Sequence, residues 1–178
     1  MSRIMGIDAS GTCTGIAIYD TVIGDFVKVT KVHTSKKKAT PTNAKRREFI
    51  CMELSHLMLM ECVDVVIIED IYVDKVSSAI PLAALRGAIE ITVFDMEYEG
   101  LHTIASSQVK KAVTGNGKAK KERVYETLKE IYAESEVVME ALGDELLSAN
   151  NAKKNEDMSD AVAVVHAYLT DPDLAQIA

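Results

Sequence analysis

The chain has 178 residues, with 20 Lys and Arg against 27 Asp and Glu, which gives a formal net charge of −7. The length predicts one domain over residues 1–178, and ordinary proportions of hydrophobic (48%) and charged (26%) residues exclude a wholly disordered chain. The three cysteines lack paired spacing, so we expect no disulfides. A charge near the N-terminus predicts no signal peptide, and no apolar run reaches the ~20 residues that a membrane span needs. We therefore expect a cytoplasmic protein without membrane contact.

Five strands and five helices are predicted, in the order β-β-β-α-β-α-β-α-α-α. The strands are 3–7, 14–19, 26–32, 63–68 and 100–105, and the helices are 43–62, 77–96, 106–113, 118–133 and 157–169. Residues 134–156 are acidic and weakly patterned, and no element is predicted there. The order of elements indicates an α/β domain with a mixed five-stranded sheet flanked by helices.

The charge is distributed unevenly along the chain. Residues 28–47 carry eight Lys or Arg and no acid, and residues 106–124 carry six Lys or Arg and one acid. The remaining 139 residues have a net charge of −20. The overall negative charge therefore does not exclude a nucleic-acid partner, since two concentrated basic segments are available to bind phosphates.

Carboxylates stand at positions where an α/β fold gathers ligands. Asp8 and Glu69 each end a predicted strand, and the carboxyl ends of neighbouring strands form the binding crevice of open sheets. Asp157 and Asp160 are three residues apart on a predicted helix and share a face. Four converging carboxylates favour a divalent cation, and oxygen ligands favour Mg²⁺ or Mn²⁺ over Zn²⁺.

Each of these acids also has an ordinary structural interpretation. Asp8 precedes Ser10-Gly11 and is typical of a turn, Glu69 is typical of a solvated strand end, and Asp157 is typical of a helix start. The combination of two strand ends and one helix face on one α/β pattern favours the metal-site interpretation.

Four motifs in this order resemble the RuvC family of Holliday-junction resolvases. They read GIDASGTCTG at 6–15, IIEDIY at 67–72, QVKKAVTGNGKAKKERV at 108–124 and DMSDAVAVVH at 157–166. The third, a basic helix-Gly-helix segment, is the most specific, and the resemblance spans residues 3–169. It implies a ribonuclease-H-like fold and a metal-dependent endonuclease that resolves four-way DNA junctions by paired symmetric nicks.

The resemblance also implies roles for particular residues. The expected catalytic and metal-binding acids are Asp8, Glu69, Asp157 and Asp160, which would hold two Mg²⁺ ions roughly 3.5–4 Å apart, with Mn²⁺ as a substitute. The resemblance implies DNA-contacting lysines at Lys110 and Lys121, and Tyr72 stands where the family carries an aromatic residue. The concentration of basic residues around the two lysines adds Lys111, Lys118, Lys120 and Arg123 as candidate DNA contacts, with solvated surface side chains as the alternative. Lys121 is also a candidate to stabilise charge on the reacting phosphate.

Other expected contacts leave alternatives open. Tyr72 is predicted to stack on bases near the junction centre, or to be a half-buried sheet residue. The Lys36-Lys37-Lys38 and Lys45-Arg46-Arg47 groups offer a second basic surface, or are solvated lysines and arginines. A two-fold symmetric junction implies a homodimer, for which residues 58–60 and 82–85 offer either an interface or core packing.

Departures from the family pattern include the extra acid Asp70, the long acidic connection at 135–156 and the divergent stretch at 73–78. They fit a phage-encoded member that acts in the host cytoplasm. The alternative functions are a branched-DNA binding protein without strict four-way selectivity and a fragment of an actin- or sugar-kinase-like ATPase. The turn Asp8-Ala9-Ser10-Gly11-Thr12 resembles the phosphate turn of those ATPases, but 178 residues do not supply their two domains.

Overall fold

A computed structural model describes residues 2–34, 42–70, 76–98, 101–143, 155–171, 173 and 176–177. In this part of the chain the strands are β1 (Arg3–Asp8), β2 (Cys13–Asp20), β3 (Asp25–His33), β4 (Val65–Glu69), β5 (Leu101–Ile104) and β6 (Gln176–Ile177). The helices are α1 (Asn43–Met60), α2 (Val76–Asp95), α3 (Ser106–Thr114), α4 (Lys121–Ile131), α5 (Glu136–Leu142) and α6 (Glu156–Thr170). All ten predicted elements are present in the predicted order, with α5 and β6 in addition.

The strands form one mixed sheet in the order β3-β2-β1-β4-β5-β6. The pairs β1/β4 and β4/β5 are parallel, and the other neighbouring pairs are antiparallel. The five predicted strands are all present, and the two-residue β6 adds a sixth at the β5 edge. Because Ile7 pairs with Ile68, Asp8 and Glu69 lie one residue further along, side by side at the carboxyl edge.

Alternation along the strands divides the core into two layers. Met5, Ile7 and Ile68 face α1 and α2, whereas Ile4 and Ile67 face α3, α4, α5 and α6. Since side chains alternate with a period of two, Asp8 shares the face of Ile4, and Glu69 shares the face of Ile67. Both carboxylates are thereby directed to the layer that contains α6.

The structure corrects three details of the sequence-based prediction. Helix α4 begins at Lys121 rather than 118, because residues 116–119 form a turn in which the Ala119 N–H donates to the Asn116 carbonyl at 3.0 Å. Helix α5 was not predicted; it buries Val138 and Leu142, one turn apart, in the α6 layer. Of the two candidate interface segments, 58–60 and 82–85, Met58 and Leu85 are buried in the α1–α2 core and are therefore unsuited to a dimer interface.

Several sequence-based predictions lie outside the described residues. They concern Tyr72, the Lys36-Lys37-Lys38 run, most of the divergent stretch at 73–78 and the middle of the acidic connection. Among the helices that the structure does describe, none combines the length and apolar character that crossing a membrane requires.

Candidate active site

Close packing of α6 on the sheet brings the acids of the helix to the acids of the strands. A Cβ atom on Gly15 would lie 1.8 Å from the carbonyl oxygen of Asp157, and one on Gly6 would lie 2.6 Å from Cγ2 of Val165. Gly15 is also the register partner of Asp8. The two glycines therefore allow the α6 backbone to touch the sheet directly beside Asp8, and any side chain at Gly15 would push the helix away.

The start of α6 is held by a carbonyl group that accepts two hydrogen bonds. The Leu142 carbonyl, at the end of α5, accepts hydrogen bonds from the Tyr125 hydroxyl of α4 and from Nδ2 of Asn155, at 3.0 Å in the second case. Asn155 immediately precedes α6. The predicted i, i+3 pair Asp157 and Asp160 thus stands in the first two turns of a helix that is tied to α4 and α5.

The three most buried acids at this edge resist ionisation. The pKa of Asp8 is raised to about 8, first by burial and then by the nearby charges of Asp160, Glu69 and Asp157. Burial also raises the pKa of Glu69, although a hydrogen bond from Ser106 at the start of α3 acts against it. The pKa of Asp160 is raised by burial, against the lowering effect of Lys121. The four predicted acids therefore form one interacting group.

Lys121, the first residue of α4, forms an ion pair with this group. Its Nζ lies 2.7 Å from Oδ2 of Asp160 and 2.5 Å from Oε1 of Glu156. Partial burial lowers the pKa of Lys121, but the two carboxylates outweigh that effect and the pKa is raised. The side chain is still 53% exposed, so the ammonium group remains accessible from outside.

The predicted basic surface is only partly gathered at the acids. Lys110 lies close enough to Glu69 to favour its ionised form. Lys111, Lys118 and Lys120 are exposed on α3 and on the turn before α4. Arg123 is also exposed, and its Nη1 lies 3.9 Å and 3.8 Å from two glutamates of its own helix, Glu126 and Glu130.

Sequence reasoning missed Arg86, and also Glu156, at this edge. Arg86 of α2 lines a cavity of about 170 Å³ together with Asp8 and Glu69, and its side chain is only 14% exposed. Its Nη1 lies 3.3 Å from Oδ1 of Asp70. The available signal was that Arg86 is the one charged residue between 76 and 89, inside an otherwise apolar helix. Asp70, the extra acid, is thus a partner of Arg86.

His166 of α6 contacts the ring and the hydroxyl of Tyr132. Its Nδ1 lies 2.8 Å from the Tyr132 hydroxyl, and the two rings meet edge to face. Burial lowers the pKa of His166.

The donor chemistry at the acidic edge suits a hard divalent cation. The group offers carboxylate oxygens alone. Burial and then mutual repulsion raise the pKa of Asp8, and a cation among the carboxylates would relieve the repulsion. Within the described part of the chain, however, no three His, Cys, Asp or Glu side chains already stand in a ligating arrangement. Lys121 instead provides the positive charge at Asp160.

Comparison with known proteins gives a consistent result. Residues 4–168 match the sequence model of the family described as crossover junction endodeoxyribonuclease RuvC. The RuvC protein of Caldicellulosiruptor saccharolyticus is 26% identical over 168 residues, which cover 94% of this chain and 92% of that protein. The Ehrlichia ruminantium (strain Gardel) protein of the same name is 32% identical over 127 residues, which cover 68% and 78% of the two chains.

Two solved structures share the fold. Thermus thermophilus RuvC in complex with a Holliday junction substrate superimposes with a TM-score of 0.74 at 16% identity, over 100% of both chains. The yeast mitochondrial Holliday junction resolvase Ydc2 superimposes with a TM-score of 0.69 at 12% identity, over 95% of this chain and 78% of that one. The ribonuclease-H-like fold predicted from the sequence is confirmed.

Proposed function

This chain belongs to the RuvC family of crossover junction endodeoxyribonucleases, and on that premise we propose that it resolves four-way DNA junctions by a pair of symmetric nicks. The observation that carries the proposal is the interacting group of four acids around Asp8, with Lys110 and Lys121 at the same edge. We propose that residues 1–178 act as one nuclease domain. The reaction is hydrolysis of a phosphodiester bond.

The acids Asp8, Glu69, Asp157 and Asp160 are proposed to hold two Mg²⁺ ions, for which Mn²⁺ would substitute. Bound there, such ions would activate a water and offset the charge that develops on the leaving 3′ oxygen. Asp8 is central because all three other acids act on its pKa.

Lys121 is proposed to move from acid to substrate during the reaction. Its Nζ is held by Asp160 and Glu156, and about half of the side chain is exposed. A phosphate arriving at the acidic edge offers the ammonium group a new anionic partner while the carboxylates receive divalent cations. Lys121 would then stabilise charge on the phosphate in the transition state.

The wider DNA surface is proposed to comprise Lys110, Lys111, Lys118, Lys120 and Arg123, with Tyr72 at the junction centre. Exposure of the lysines on α3 and on the turn before α4 supports backbone contacts on the side of the acids. The long ion pairs of Arg123 are exposed and therefore weak, so DNA can replace them.

A homodimer is proposed because a four-way junction has two-fold symmetry and needs two cuts. The helix that supports it is α2, whose exposed large apolar residues Ile80, Ile91 and Phe94 fall on one stripe at helical spacing with Gly87 between them. An exposed apolar stripe of this kind is typical of an interaction surface. On α1, Leu59 and Met60 are also exposed.

The test is cleavage of synthetic four-way, three-way and linear DNA with Mg²⁺ or Mn²⁺, with the sedimentation of the full chain measured in parallel. We expect a dimer that makes symmetric nicks in the four-way substrate. Three-way cleavage of equal efficiency would indicate a general branched-DNA nuclease. Binding of the junction without cleavage in either metal would contradict the proposed activity.

A further inference from the structure

A second, small pocket lies beyond the acidic edge, between the β1–β2 turn and the start of α1. It is lined by Gly11, Asn43, Arg46 and Arg47, and its floor is formed by apolar residues of α1 and α2. The cavity volume is about 30 Å³, which accommodates one or two oxygen atoms and excludes a nucleoside base.

Arg46 is the unusual member of this pocket. The residue is only 6% exposed, and its Nε is buried without a hydrogen-bond partner. Within the described part of the chain, its guanidinium forms neither a hydrogen bond nor an ion pair. The neighbouring acid of α1, Glu48, pairs with Lys45 instead. A buried charge without a partner costs stability, so its presence calls for a ligand that supplies the missing acceptor.

The surroundings of Arg46 favour an anion. Helix α1 begins at Asn43 and has no acid in its first turn, so the positive end of the helix dipole is not offset. Arg47 adds a second positive charge at the pocket wall. A carboxylate or phosphate oxygen entering here would meet two arginines of α1 and no acid.

The β1–β2 turn fixes the pocket relative to the acids. Gly11 follows Asp8 by three residues, and its carbonyl accepts a hydrogen bond from Oγ1 of Thr34 at 2.8 Å. Ser10 Oγ accepts from the Cys13 N–H at 3.1 Å and closes the turn from the other side. The pocket is thereby joined to the acidic edge by one short, hydrogen-bonded turn.

We propose that this pocket binds one backbone phosphate of the DNA strand that passes over the β1–β2 turn, with Arg46 as its principal donor. The inference rests on the proposed function and adds a phosphate contact on the α1–α2 side of the sheet, opposite the basic surface of α3 and α4. The inference assigns the basic residues of segment 28–47 to two different roles. Arg46 and Arg47 serve DNA, whereas Lys28 pairs with Glu61 away from the acids.

The test compares Arg46→Met, Arg46→Lys and the charge-matched control Lys28→Met. Junction affinity is measured by fluorescence anisotropy without divalent cations at several salt concentrations, and thermal unfolding is followed in parallel. Because a charge-assisted hydrogen bond to phosphate is lost, Arg46→Met should bind the junction roughly tenfold more weakly, with a salt slope smaller by about 1. Its Tm should not fall, since an unpaired buried charge is removed. Arg46→Lys should regain part of the affinity, and Lys28→Met should bind like the wild type.

Three results would overturn the inference, and they are distinguishable. If the wild-type chain does not bind the junction, the proposed function fails and the pocket fails with it. If the wild type binds but Arg46→Met shows the same affinity and salt slope, the pocket alone fails; a lower Tm in that variant would mark Arg46 as a packing residue. If inorganic phosphate, at ionic strength matched with chloride, raises the Tm through Arg46 while junction affinity does not depend on it, the pocket takes a free anion rather than DNA.

Discussion

The sheet has one edge where β1 begins and another where β1 ends, and the carboxylates at these two edges have opposite electrostatic surroundings. At the edge where β1 begins, Asp20 accepts a hydrogen bond from Nε of Arg3 at 2.9 Å, which with backbone N–H groups lowers the pKa of Asp20. Glu61 pairs there with Arg3 at 3.3 Å and with Lys28. At the edge where β1 ends, burial and neighbouring acids raise the pKa of Asp8.

The difference separates a structural edge from a functional one. Acids with a lowered pKa stabilise the fold when ionised, whereas acids with a raised pKa destabilise it when ionised. At the first edge the chain neutralises its own charges. At the second edge it gathers more negative charge than Lys121 and Lys110 offset, and it relies on ligands to supply the rest.

The largest effect is expected from neutralising the central acid. Asp8→Asn should lower the cleavage rate by roughly 10³-fold or more, since a member of the catalytic unit is lost, while junction binding is retained. The variant should also have a higher Tm than the wild type at pH 8 and above, because a buried charge is removed. Gel assays of nicking and of binding, with thermal unfolding, measure all three.

The matched variant at the opposite edge is Asp20→Asn. It should nick at the wild-type rate and have a lower Tm, because Arg3 loses its partner. Undiminished nicking by Asp8→Asn, or loss of nicking in Asp20→Asn, would remove the distinction between the edges.

The next largest effect is expected from Gly15→Ala. The new methyl group would overlap the Asp157 carbonyl, so the start of α6 must move and carry Asp157 and Asp160 away from Asp8. We expect cleavage to fall by about 10²-fold or more and the free energy of unfolding to fall by about 1–3 kcal/mol. Gly11→Ala is the control for stability, since a Cβ atom at Gly11 has no neighbour within 4 Å. Equal stability of the two variants would show that α6 does not need Gly15.

This close approach also shows what the sequence could not reveal. Asp8 and Glu69 were predictable as neighbours, because both end apolar strands and the fold of open sheets places such ends together. The i, i+3 spacing likewise predicted that Asp157 and Asp160 share a face. The contact between Gly15 and Asp157 joins residues 142 positions apart, and no local pattern encodes such a contact.

Other features were missed for similar reasons. Helix α5 is short and surrounded by acids, so its two buried residues, Val138 and Leu142, gave little periodic signal. The uneven charge pointed to basic segments but did not separate Lys28, which pairs with Glu61, from Arg46, which is buried. Charge counts along the sequence identify basic residues, but the role of each basic residue depends on its position in the fold.

A smaller effect is expected from removing Lys121, the cation that is paired with Asp160 at the functional edge. Lys121→Met takes the ammonium group from Asp160 and from the incoming phosphate, so cleavage should fall by about 10²-fold. The pKa of Asp160 should rise further, which moves the pH profile of cleavage to higher pH. Lys121→Arg should restore the pH profile in part.

The matched control on the same helix is Lys129→Met. Lys129 donates to the Gly143 carbonyl at 2.5 Å, away from the acids, so its loss should leave the rate and pH profile of cleavage unchanged. If Lys121→Met keeps the wild-type pH profile, the ion pair with Asp160 does not set the charge of the acidic edge.

The last expected effect concerns stability rather than cleavage: stability depends on pH, and the sign of that dependence differs between the edges. Asp8 has a pKa of about 8 in the folded chain and an ordinary value of 3.8, so the unfolded chain releases this proton first as pH rises. Stability should therefore fall between about pH 4 and pH 8, with no further contribution from Asp8 above that range. Asp20 acts in reverse, because its lowered pKa gives stability that is lost only as pH falls below the ordinary value.

Thermal unfolding from pH 5 to 9 should show a shallower decline in Asp8→Asn than in the wild type. Mg²⁺ should reduce the decline in the wild type and have little effect in the variant, because a cation at Asp8 favours the ionised form. If Tm declines with pH equally with and without Mg²⁺ in the wild type, the divalent cation does not bind at ionised Asp8.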